Sequence, residues 1–315
     1  MKLPQGNGKR QAAAAVGSAA RYIVIIAFGY MLIYPILFMV LSALKSTSDY
    51  YDVTVQWIPK HWSLESFRLA MKTIDYWSSL SSTLINEIVA ALIEVFSCAV
   101  AAYGLARFNI RGKKVLTFIM ILTMLIPFPM LLIPSYVNYK FVDFAGILNL
   151  LGRLVGRELR PSILDTPWVF WLPSLFAVGL RGSLFIYIYY QFFKGIPKEL
   201  EEASWIDGAN AWKTFFFIGA RLPKTAIITV LLFSVIWHWN DYYLAQTYLS
   251  ENFPLGVQLV NIYQFFTGGV EGITSMNQGG VTMAACFLMI APMLIFYILL
   301  QRRFIESVST SGIVG

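Results

Sequence analysis

The sequence predicts an all-α integral membrane protein with six transmembrane helices and both termini in the cytoplasm. Its 315 residues are 57% hydrophobic and only 13% charged, with a mean hydropathy of +0.63, which is unlike the composition of a soluble domain. The hydrophobic residues fall in six blocks of about 20 residues or more, which is the length that a helix needs to cross a hydrocarbon core ~30 Å thick. Lys and Arg favour alternate connecting segments, as orientation in a membrane requires.

The blocks divide the chain into a tail, a membrane domain and a second tail. Residues 1–21, rich in Gly, Ala and Gln, predict a loose cytoplasmic tail. The first block is longer than the apolar core of a signal peptide and no small-residue cleavage site follows it closely, so a cleaved signal is not expected. The membrane domain covers residues 22–300, and residues 301–315 predict a cytoplasmic tail. The six predicted spans are residues 22–44, 84–106, 115–139, 169–193, 225–249 and 281–300.

The positive charges predict which segments face the cytoplasm. With both termini inside, cytoplasmic segments hold 15 of the 24 Lys and Arg residues. The bias is moderate, because Arg153, Arg157 and Arg160 cluster in a segment predicted to lie outside. The net charge of +7 is therefore interpreted as orientation and contact with anionic lipid in the cell membrane, not as nucleic-acid binding.

Residues that support catalysis or metal binding are scarce. The two histidines, His61 and His238, are too few for a His-rich metal site or for a Ser/His/Asp set supported by spacing. Cys98 and Cys286 both fall in predicted spans, which favours small buried thiols over a disulfide framework or a metal cluster. The chain contains no phosphate-binding loop. The sequence thus predicts no enzyme, no metal and no cofactor in this chain, and any ATPase must be another chain.

A charged segment, residues 198–223, separates the fourth and fifth predicted spans. Pro197 is suited to the first turn of a helix, because its φ is fixed there and its missing N–H would be unbonded anyway. Gly208 is suited to ending the helix. Negative charge is favoured at a helix N-terminus, and three acidic residues follow Pro197: Glu199, Glu201 and Glu202. A short, acid-tipped helix on the membrane surface is predicted, and it suits docking to a soluble partner.

The same segment resembles the EAA loop of permease subunits of ATP-binding-cassette (ABC) importers. The pattern is Glu202-Ala203-Ser204, three residues, Gly208, nine residues and Ile218, and its extension Ile206-Asp207-Gly208-Ala209 is typical of sugar importers. Two positions differ from the family pattern: Ser204 stands where Ala is usual, and Leu222-Pro223 comes two residues late. The resemblance extends from the first span to the tail and is closest to the maltose-type sugar permeases.

The resemblance implies the function and the partners. The chain would be one permease subunit of a sugar or oligosaccharide importer, working with a second permease, two ATPase subunits that bind ATP and Mg²⁺, and an extracytoplasmic solute-binding protein. Within the loop at residues 196–223, an EAA coupling helix would fit a cleft on the ATPase. Glu202 would make the main charged contact, while Ala203 and Ser204 complete the motif. Asp207 and Gly208 would shape the turn, and three residues would pack: Trp205, Ile206 and Ala209.

Polar residues inside the predicted spans are candidates for a transport pathway, because ionisable groups are costly in a bilayer. Glu87 and Glu94 lie seven residues apart in the second span and so share one helix face, and Arg181 lies in the fourth span. Pairing with each other or with the second permease would explain them equally well. In the fifth span, aromatic faces and hydrogen-bonding groups suited to sugars occur at Trp237, Asn240, Asp241 and Tyr242. A membrane-interface belt also explains the aromatic residues.

Two further segments carry expectations. Pro127, Pro129 and Pro134 predict a kinked or loosened third span. The polar, glycine-containing loop at residues 250–280 is expected outside, and by resemblance it would probe the binding protein. By resemblance the C-terminal tail would reach the ATPases, although Val314 replaces the usual Lys.

Two alternatives stay open from the sequence. An ABC importer for another solute, such as a polyamine, phosphate or an amino acid, would keep the EAA pattern. An ion-coupled secondary transporter would use the intramembrane acids to carry protons and would leave that pattern as coincidence. The identity of the substrate separates the first from a sugar importer, and uptake without an ATPase would indicate the second.

Overall fold

The computed structural model describes residues 7–143, 146–156, 159–219 and 224–311, of which residues 7–14, 128, 218 and 303–311 are described by their backbone alone. Leu222 and Pro223, which end the family pattern, and the last four residues of the tail lie outside the described residues. The described residues contain no β-strand, and a single isolated bridge joins Lys45 and Trp62.

The helices are α1 (Asn7–Ala43), α2 (Thr47–Tyr51), α3 (Glu65–Thr73), α4 (Tyr76–Ser82), α5 (Val89–Arg107), α6 (Lys113–Leu125), α7 (Leu132–Lys140), α8 (Ile147–Val155), α9 (Trp168–Leu175), α10 (Gly182–Lys194), α11 (Glu199–Ile206), α12 (Ala211–Thr214), α13 (Lys224–Trp239), α14 (Tyr243–Tyr248), α15 (Leu255–Val260), α16 (Ile262–Thr267) and α17 (Gln278–Ser311). A π-helical segment, Thr83–Ile88, joins α4 to α5, and another, Phe215–Gly219, follows α12. A 3-10 turn, Phe128–Leu131, precedes α7.

Three helical segments in the described residues are long and apolar enough to cross a membrane: Ala15–Ala43, Tyr76–Arg107 and Gln278–Arg302. The third predicted span is broken into two segments, Lys113–Leu125 and Pro129–Lys140, whose axes differ by 100°. This confirms the kink expected from the prolines, and the pair counts as a fourth span if it crosses as one unit. α13 is apolar but shorter.

The fourth and fifth predicted spans are interrupted. Residues 169–193 form α9 and α10, separated by a break in which Ala177 and Arg181 take positive φ angles of 58° and 66°. Pro173 lies near the end of α9 and lacks the N–H that continues a helix. In the fifth, α13 ends at Trp239, and the carboxylate of Asp241 accepts hydrogen bonds from two N–H groups of α14. The continuous apolar composition of these two segments therefore did not predict the helix breaks between α9 and α10 and between α13 and α14.

The described parts of both predicted tails are helical. The N-terminal tail at residues 1–21 was predicted to be loose, and this is wrong for its described part, because α1 already begins at Asn7. Ala is the strongest helix former, and residues 11–20 include six of them. The C-terminal tail continues α17 as far as Ser311.

The chain forms two compact units, and each is described by itself. The first comprises residues 1–73 and 265–288. In it, the segment after α1 is organised around two buried charges. Lys45 Nζ donates to the carbonyls of Val55 and Gln56 at 3.2 and 2.9 Å, and the carboxylate of Asp49 accepts from the N–H groups of Lys60 and His61, both at 2.9 Å.

The second unit comprises residues 74–264 and 289–315, and α5 is its central helix. α5 packs against α9, α10 and α13. Its contact face is made of small residues, which let helices approach closely where lipid provides no hydrophobic drive to associate. They include Ala90, Ala91, Cys98, Ala99 and Ala102, all buried. Phe185, Tyr189 and Phe193 of α10 fill the space opposite.

Part of the loop predicted at residues 250–280 is folded into this unit. Leu255 and Val257 of α15 are buried, and the N–H of Leu255 donates to Thr83 Oγ1 at 2.9 Å. The first part of this loop is thus held by packing and a hydrogen bond, although its composition is polar overall.

Candidate functional site

The described part of the loop at residues 196–223 contains a short helix, α11, that starts with acidic residues, as the sequence predicts. Its first turn contains Glu199, Glu201 and Glu202. The helix ends at Ile206, and Gly208 follows with φ 78°, a left-handed conformation that glycine adopts without strain. The N–H of Gly208 donates to the carbonyl of Trp205 at 3.0 Å, and that of Ala209 to the carbonyl of Ser204 at 3.0 Å, so the turn is closed by hydrogen bonds.

A buried ion pair anchors α11 to the end of α5. Glu201 is 4% exposed, and its Oε1 accepts hydrogen bonds from Arg107 Nε at 2.7 Å and from Tyr103 Oη at 2.9 Å. Both donors lie in the last turns of α5. Charge-assisted bonds of this length are among the stronger hydrogen bonds in proteins. The acidic tip of α11 is therefore held to the second predicted span.

Arg107 also binds the chain that leads into α11. Its guanidinium donates to the carbonyls of Phe193 and Ile196 at 3.2 and 2.9 Å and to that of Pro197 at 3.4 Å. Phe193 lies in the last turn of α10, where helix carbonyls have no partner within the helix. One guanidinium thus joins the end of α5, the end of α10 and the start of α11. We call Arg107, Glu201 and Tyr103 the anchor cluster.

The rest of α11 faces outward. Glu202, Ala203 and Asp207 are exposed, and Ile206 is 86% exposed. Large exposed apolar side chains accompany them on this loop: Leu200, Trp205 and Trp212. A group of exposed apolar residues beside carboxylates is typical of a surface that binds another protein. Neighbouring glutamates on one helix thus have opposite environments, because Glu201 is buried and anchored whereas Glu202 is exposed.

Ser204, which replaces the usual Ala, joins α11 to α12. Its Oγ lies 3.2 Å from Thr214 Oγ1, and Thr214 is buried. Asn210 caps α12, since its Oδ1 accepts from the N–H of Lys213 at 2.9 Å. The substitution therefore adds a contact between the two helices of the loop.

The predicted intramembrane acids are fully buried and lack hydrogen-bond partners. Neither oxygen of Glu87 or Glu94 has one among the described residues. Glu94 Oε2 lies 3.5 Å from His238 Nε2, and His238 Nδ1 lies 2.9 Å from the carbonyl of Ser234. Glu94 and His238 thus form a buried pair that connects α5 to α13, while Glu87 lies in the π-helical segment before α5.

The four residues predicted to line a substrate path do not gather at one place. Asp241 is buried and caps α14, and Asn240 Nδ2 donates to the carbonyl of Ile236 at 2.7 Å. Tyr242 packs beside Tyr243 with ring centroids 5.5 Å apart. Trp237 meets a residue predicted from another span, because the guanidinium of Arg181 lies 5.5 Å from the centre of its ring.

A cavity of about 300 Å³ lies beside the break between α9 and α10. The residues at the break itself, Gly179 to Gly182, form part of its wall, with Arg181 among them. Its polar lining further includes Thr123, Ser135, Ser174, Ser183 and His238. The hydroxyls of Thr123 and Ser183 bind each other at 2.6 Å, whereas Ser174 Oγ is buried and has no hydrogen-bond partner in the described part of the chain.

Sequence reasoning missed the anchor cluster and Ser174. Arg107 counted only as a cytoplasmic positive charge, and Glu201 only as one of three helix-tip acids. Their pairing joins positions 94 residues apart, which no local pattern reveals. Among the described residues, no three His, Cys, Asp or Glu side chains lie close enough together to hold a metal ion.

Comparison with known proteins identifies the family. A family model described as "Binding-protein-dependent transport system inner membrane component" matches residues 96–310. The chain is 24% identical to a probable starch degradation products transport system permease protein of Thermoanaerobacterium thermosulfurigenes, over 89% of this chain and 90% of that protein. It is 26% identical to a polygalacturonan/rhamnogalacturonan transport system permease protein of Bacillus subtilis, over 93% and 96%.

A solved structure supports the fold. A bacterial ABC transporter involved in the import of the acidic polysaccharide alginate contains a chain that aligns with a TM-score of 0.68 at 20% identity, covering 96% of this chain and 100% of that one. The family model covers more than half of the chain. The family that it describes is a membrane component of transport systems and not a family of enzymes. The chain belongs to the family of binding-protein-dependent transport system inner membrane components.

Proposed function

We propose that the chain is a permease subunit of an ABC importer that carries a sugar or oligosaccharide across the cytoplasmic membrane, with ATP hydrolysis coupled to transport through the loop at residues 196–223. The carbohydrate class is supported by two relatives that match about nine-tenths of the chain and are named for the transport of starch degradation products and of polygalacturonan/rhamnogalacturonan. They leave the individual sugar open.

One observation supports the coupling role above all others, namely the opposite environments of two adjacent glutamates. Glu201 is buried and bonded to Arg107 and Tyr103, so α11 is fixed to the membrane helices. Glu202 is exposed among exposed apolar side chains, so the other side of the same helix is open to a partner. A helix that transmits force between two bodies needs a firm attachment to one and a free face for the other.

α5 is suited to carry movement from that attachment into the membrane. Arg107 and Glu94 lie 13 residues apart on this one helix, which corresponds to about 20 Å. α5 packs against α9, α10 and α13 along its length. A shift of α11 would therefore move the helix that holds Glu94 beside the break between α9 and α10.

The membrane arrangement belongs to the same proposal. Six crossings place both termini and the loop at residues 196–223 in the cytoplasm, with α9 and α10 together forming the fourth crossing and α13 and α14 the fifth. A second permease completes the pathway, and two ATPase subunits that bind ATP and Mg²⁺ dock on the exposed face of α11. An extracytoplasmic binding protein delivers the solute, and residues 250–280 are the proposed contact for it.

The test is substrate-stimulated ATP hydrolysis by the purified complex in lipid. Glu202→Ala should lower the stimulation and weaken attachment of the ATPase, because it removes the free carboxylate. Glu199→Ala is the matched control, because Glu199 is also an exposed first-turn glutamate and its loss should change neither. Gly208→Pro should also lower substrate-stimulated ATP hydrolysis, since proline cannot adopt the φ of 78° that the turn after α11 requires.

Assembly of the two permeases is checked in each variant by co-purification. If Glu202→Ala and Gly208→Pro both retain normal stimulation and ATPase attachment, the coupling role is wrong, and uptake driven by an ion gradient becomes the hypothesis to examine.

A further inference from the structure

The cavity beside the break between α9 and α10 contains a cation with no anionic partner. No carboxylate lies within 4.0 Å of the Arg181 guanidinium among the described residues, and Arg181 is exposed. The guanidinium lies 5.5 Å above the ring of Trp237, which itself stacks on Phe185 and Phe233. The planar guanidinium of an arginine can bind a carboxylate through two parallel hydrogen bonds.

The same cavity contains an unsatisfied hydroxyl. Ser174 is 1% exposed, lines the cavity and has no hydrogen-bond partner for its Oγ among the described residues. Leaving a buried polar group unpaired costs about 1–3 kcal/mol. A ligand hydroxyl at this position would remove that cost. The remaining wall includes the rings of Tyr139 and Tyr248, whose centroids are 5.0 Å apart.

The position of Glu94 determines where an anion fits. A methyl group built on Gly179 would lie 2.7 Å from Glu94 Oε1, and one on Gly182 would lie 3.0 Å from the same atom. Glu94 therefore lies directly behind these two glycines and does not itself line the cavity. A ligand carboxylate is favoured beside Arg181, because a guanidinium is positively charged and can donate two hydrogen bonds to it.

From these contacts we infer that the cavity binds one ring of an acidic sugar, with its carboxylate on Arg181 and a ring hydroxyl on Ser174. The volume of about 300 Å³ is at the lower end for ligand sites and suits a single ring. The inference rests on the proposed transport function and narrows its substrate to sugars that carry a carboxylate.

The experiment measures binding of labelled galacturonate and galactose to the whole complex in lipid nanodiscs by equilibrium dialysis, without binding protein. These sugars differ only in a carboxylate against a hydroxymethyl group. The native complex should bind galacturonate at least about tenfold more tightly, since a hydrogen bond to a charged group contributes about 1.5–3 kcal/mol. Arg181→Gln should abolish the preference, and Arg181→Lys should keep part of it.

Ser174→Ala is the matched control, because it should weaken both sugars and leave their ratio unchanged. Equal binding of the two sugars by the native complex would overturn the inference, and so would a preference that survives Arg181→Gln. If Arg181→Gln prevents assembly, the inference is still tested by the ratio of galacturonate to galactose affinity in the native complex and in Arg181→Lys. If Arg181 instead pairs with a carboxylate of the second permease, the native complex will show no preference.

Failure of this inference is separable from failure of the proposed function. Glu202→Ala tests coupling without touching the cavity, and it should leave the galacturonate preference intact. A complex that couples normally but shows no preference retains the transport role and loses only the acidic-sugar site.

Discussion

Two buried glutamates, Glu201 of α11 and Glu94 of α5, differ in how their charge is matched. Glu201 receives two hydrogen bonds, one of them from a guanidinium, with both side chains of the ion pair 5% exposed. Glu94 is fully buried, has no hydrogen-bond partner among the described residues and has His238 at 3.5 Å. Burying a carboxylate is costly in both places, but only Glu201 has that cost offset by the protein itself.

The difference indicates different roles. A carboxylate whose bonds are satisfied holds two elements in one geometry, and Glu201 holds α11 on α5. A carboxylate whose bonds are unsatisfied is maintained at a cost to stability, and such costs concentrate where function requires them. Glu94 lies behind the cavity wall at Gly179 and Gly182. The anchor cluster thus attaches the C-terminal end of α5 to α11, whereas Glu94 lies near the other end of α5, beside the break between α9 and α10.

The largest effect should follow from Arg107→Ala. It leaves Glu201 buried without its cation and removes donors from three carbonyls, and removing one partner of a buried pair costs about 3–5 kcal/mol. We expect a large fall in the thermal unfolding temperature of the complex, with loss of ATPase attachment. Arg111→Ala is the control, because Arg111 is an exposed positive charge of the same segment.

A double variant distinguishes the pairing from other losses. Arg107→Ala with Glu201→Gln removes the unpaired charge and should recover part of the stability that Arg107→Ala alone loses. If the stability losses of the two single variants add up to that of the double variant, Arg107 and Glu201 do not act as a pair. Glu201 would then not differ from Glu94 in having its charge matched by a partner.

The direct comparison substitutes each carboxylate by its neutral isostere. Glu201→Gln should lower stability by about 1.5–3 kcal/mol, because it loses charge-assisted bonds from Arg107 and Tyr103. Glu94→Gln loses no hydrogen bond and should change stability by less than about 1 kcal/mol in either direction. The measurement is thermal unfolding of the purified complex in one lipid composition. An equal loss in both variants would contradict the distinction between them.

The sequence predicted the helical class, a short acid-tipped helix between Pro197 and Gly208 and the proline bend, because each depends on local composition and spacing. It did not predict the interruption between α9 and α10. That interruption depends on the positive φ angles of Ala177 and Arg181 and on close packing at Gly182, where a methyl group would lie 2.5 Å from the carbonyl oxygen of Ala177.

The candidate site was predictable only in part, for the same reason. Glu202 and Gly208 carry a recognisable pattern, and the structure places Glu202 on the exposed side and Gly208 in a left-handed turn. The anchor cluster and the juxtaposition of Arg181 with Trp237 depend on contacts between helices. Contacts between distant positions are set by packing, and single-sequence periodicity has no access to them.

A third carboxylate, Asp49 in the first unit, extends the comparison to a group outside the spans. Desolvation acts to raise its pKa, but hydrogen bonds from the N–H and ring of His61 and from the N–H of Lys60 outweigh it and hold the pKa below the ordinary value of 3.8. Because its folded-state pKa is lowered, the stabilisation is complete above that ordinary value. It is lost as the pH falls through the folded-state pKa.

We therefore expect the segment around Asp49 to become exposed to hydrogen exchange as the pH is lowered below about 4, after correction for the intrinsic exchange rate. Asp49→Asn should show increased exchange already at neutral pH, because the amide replaces a charged acceptor that binds two backbone N–H groups at 2.9 Å. Glu271→Gln is the control, since its side chain is 95% exposed and lies 4.0 Å from Lys72, and surface ion pairs contribute little. If Asp49→Asn matches the native chain at neutral pH, the satisfied carboxylate at this position does not hold its segment. The conclusion that a buried, hydrogen-bonded carboxylate holds its segment in place would then apply only to carboxylates whose partner is a buried arginine, as for Glu201.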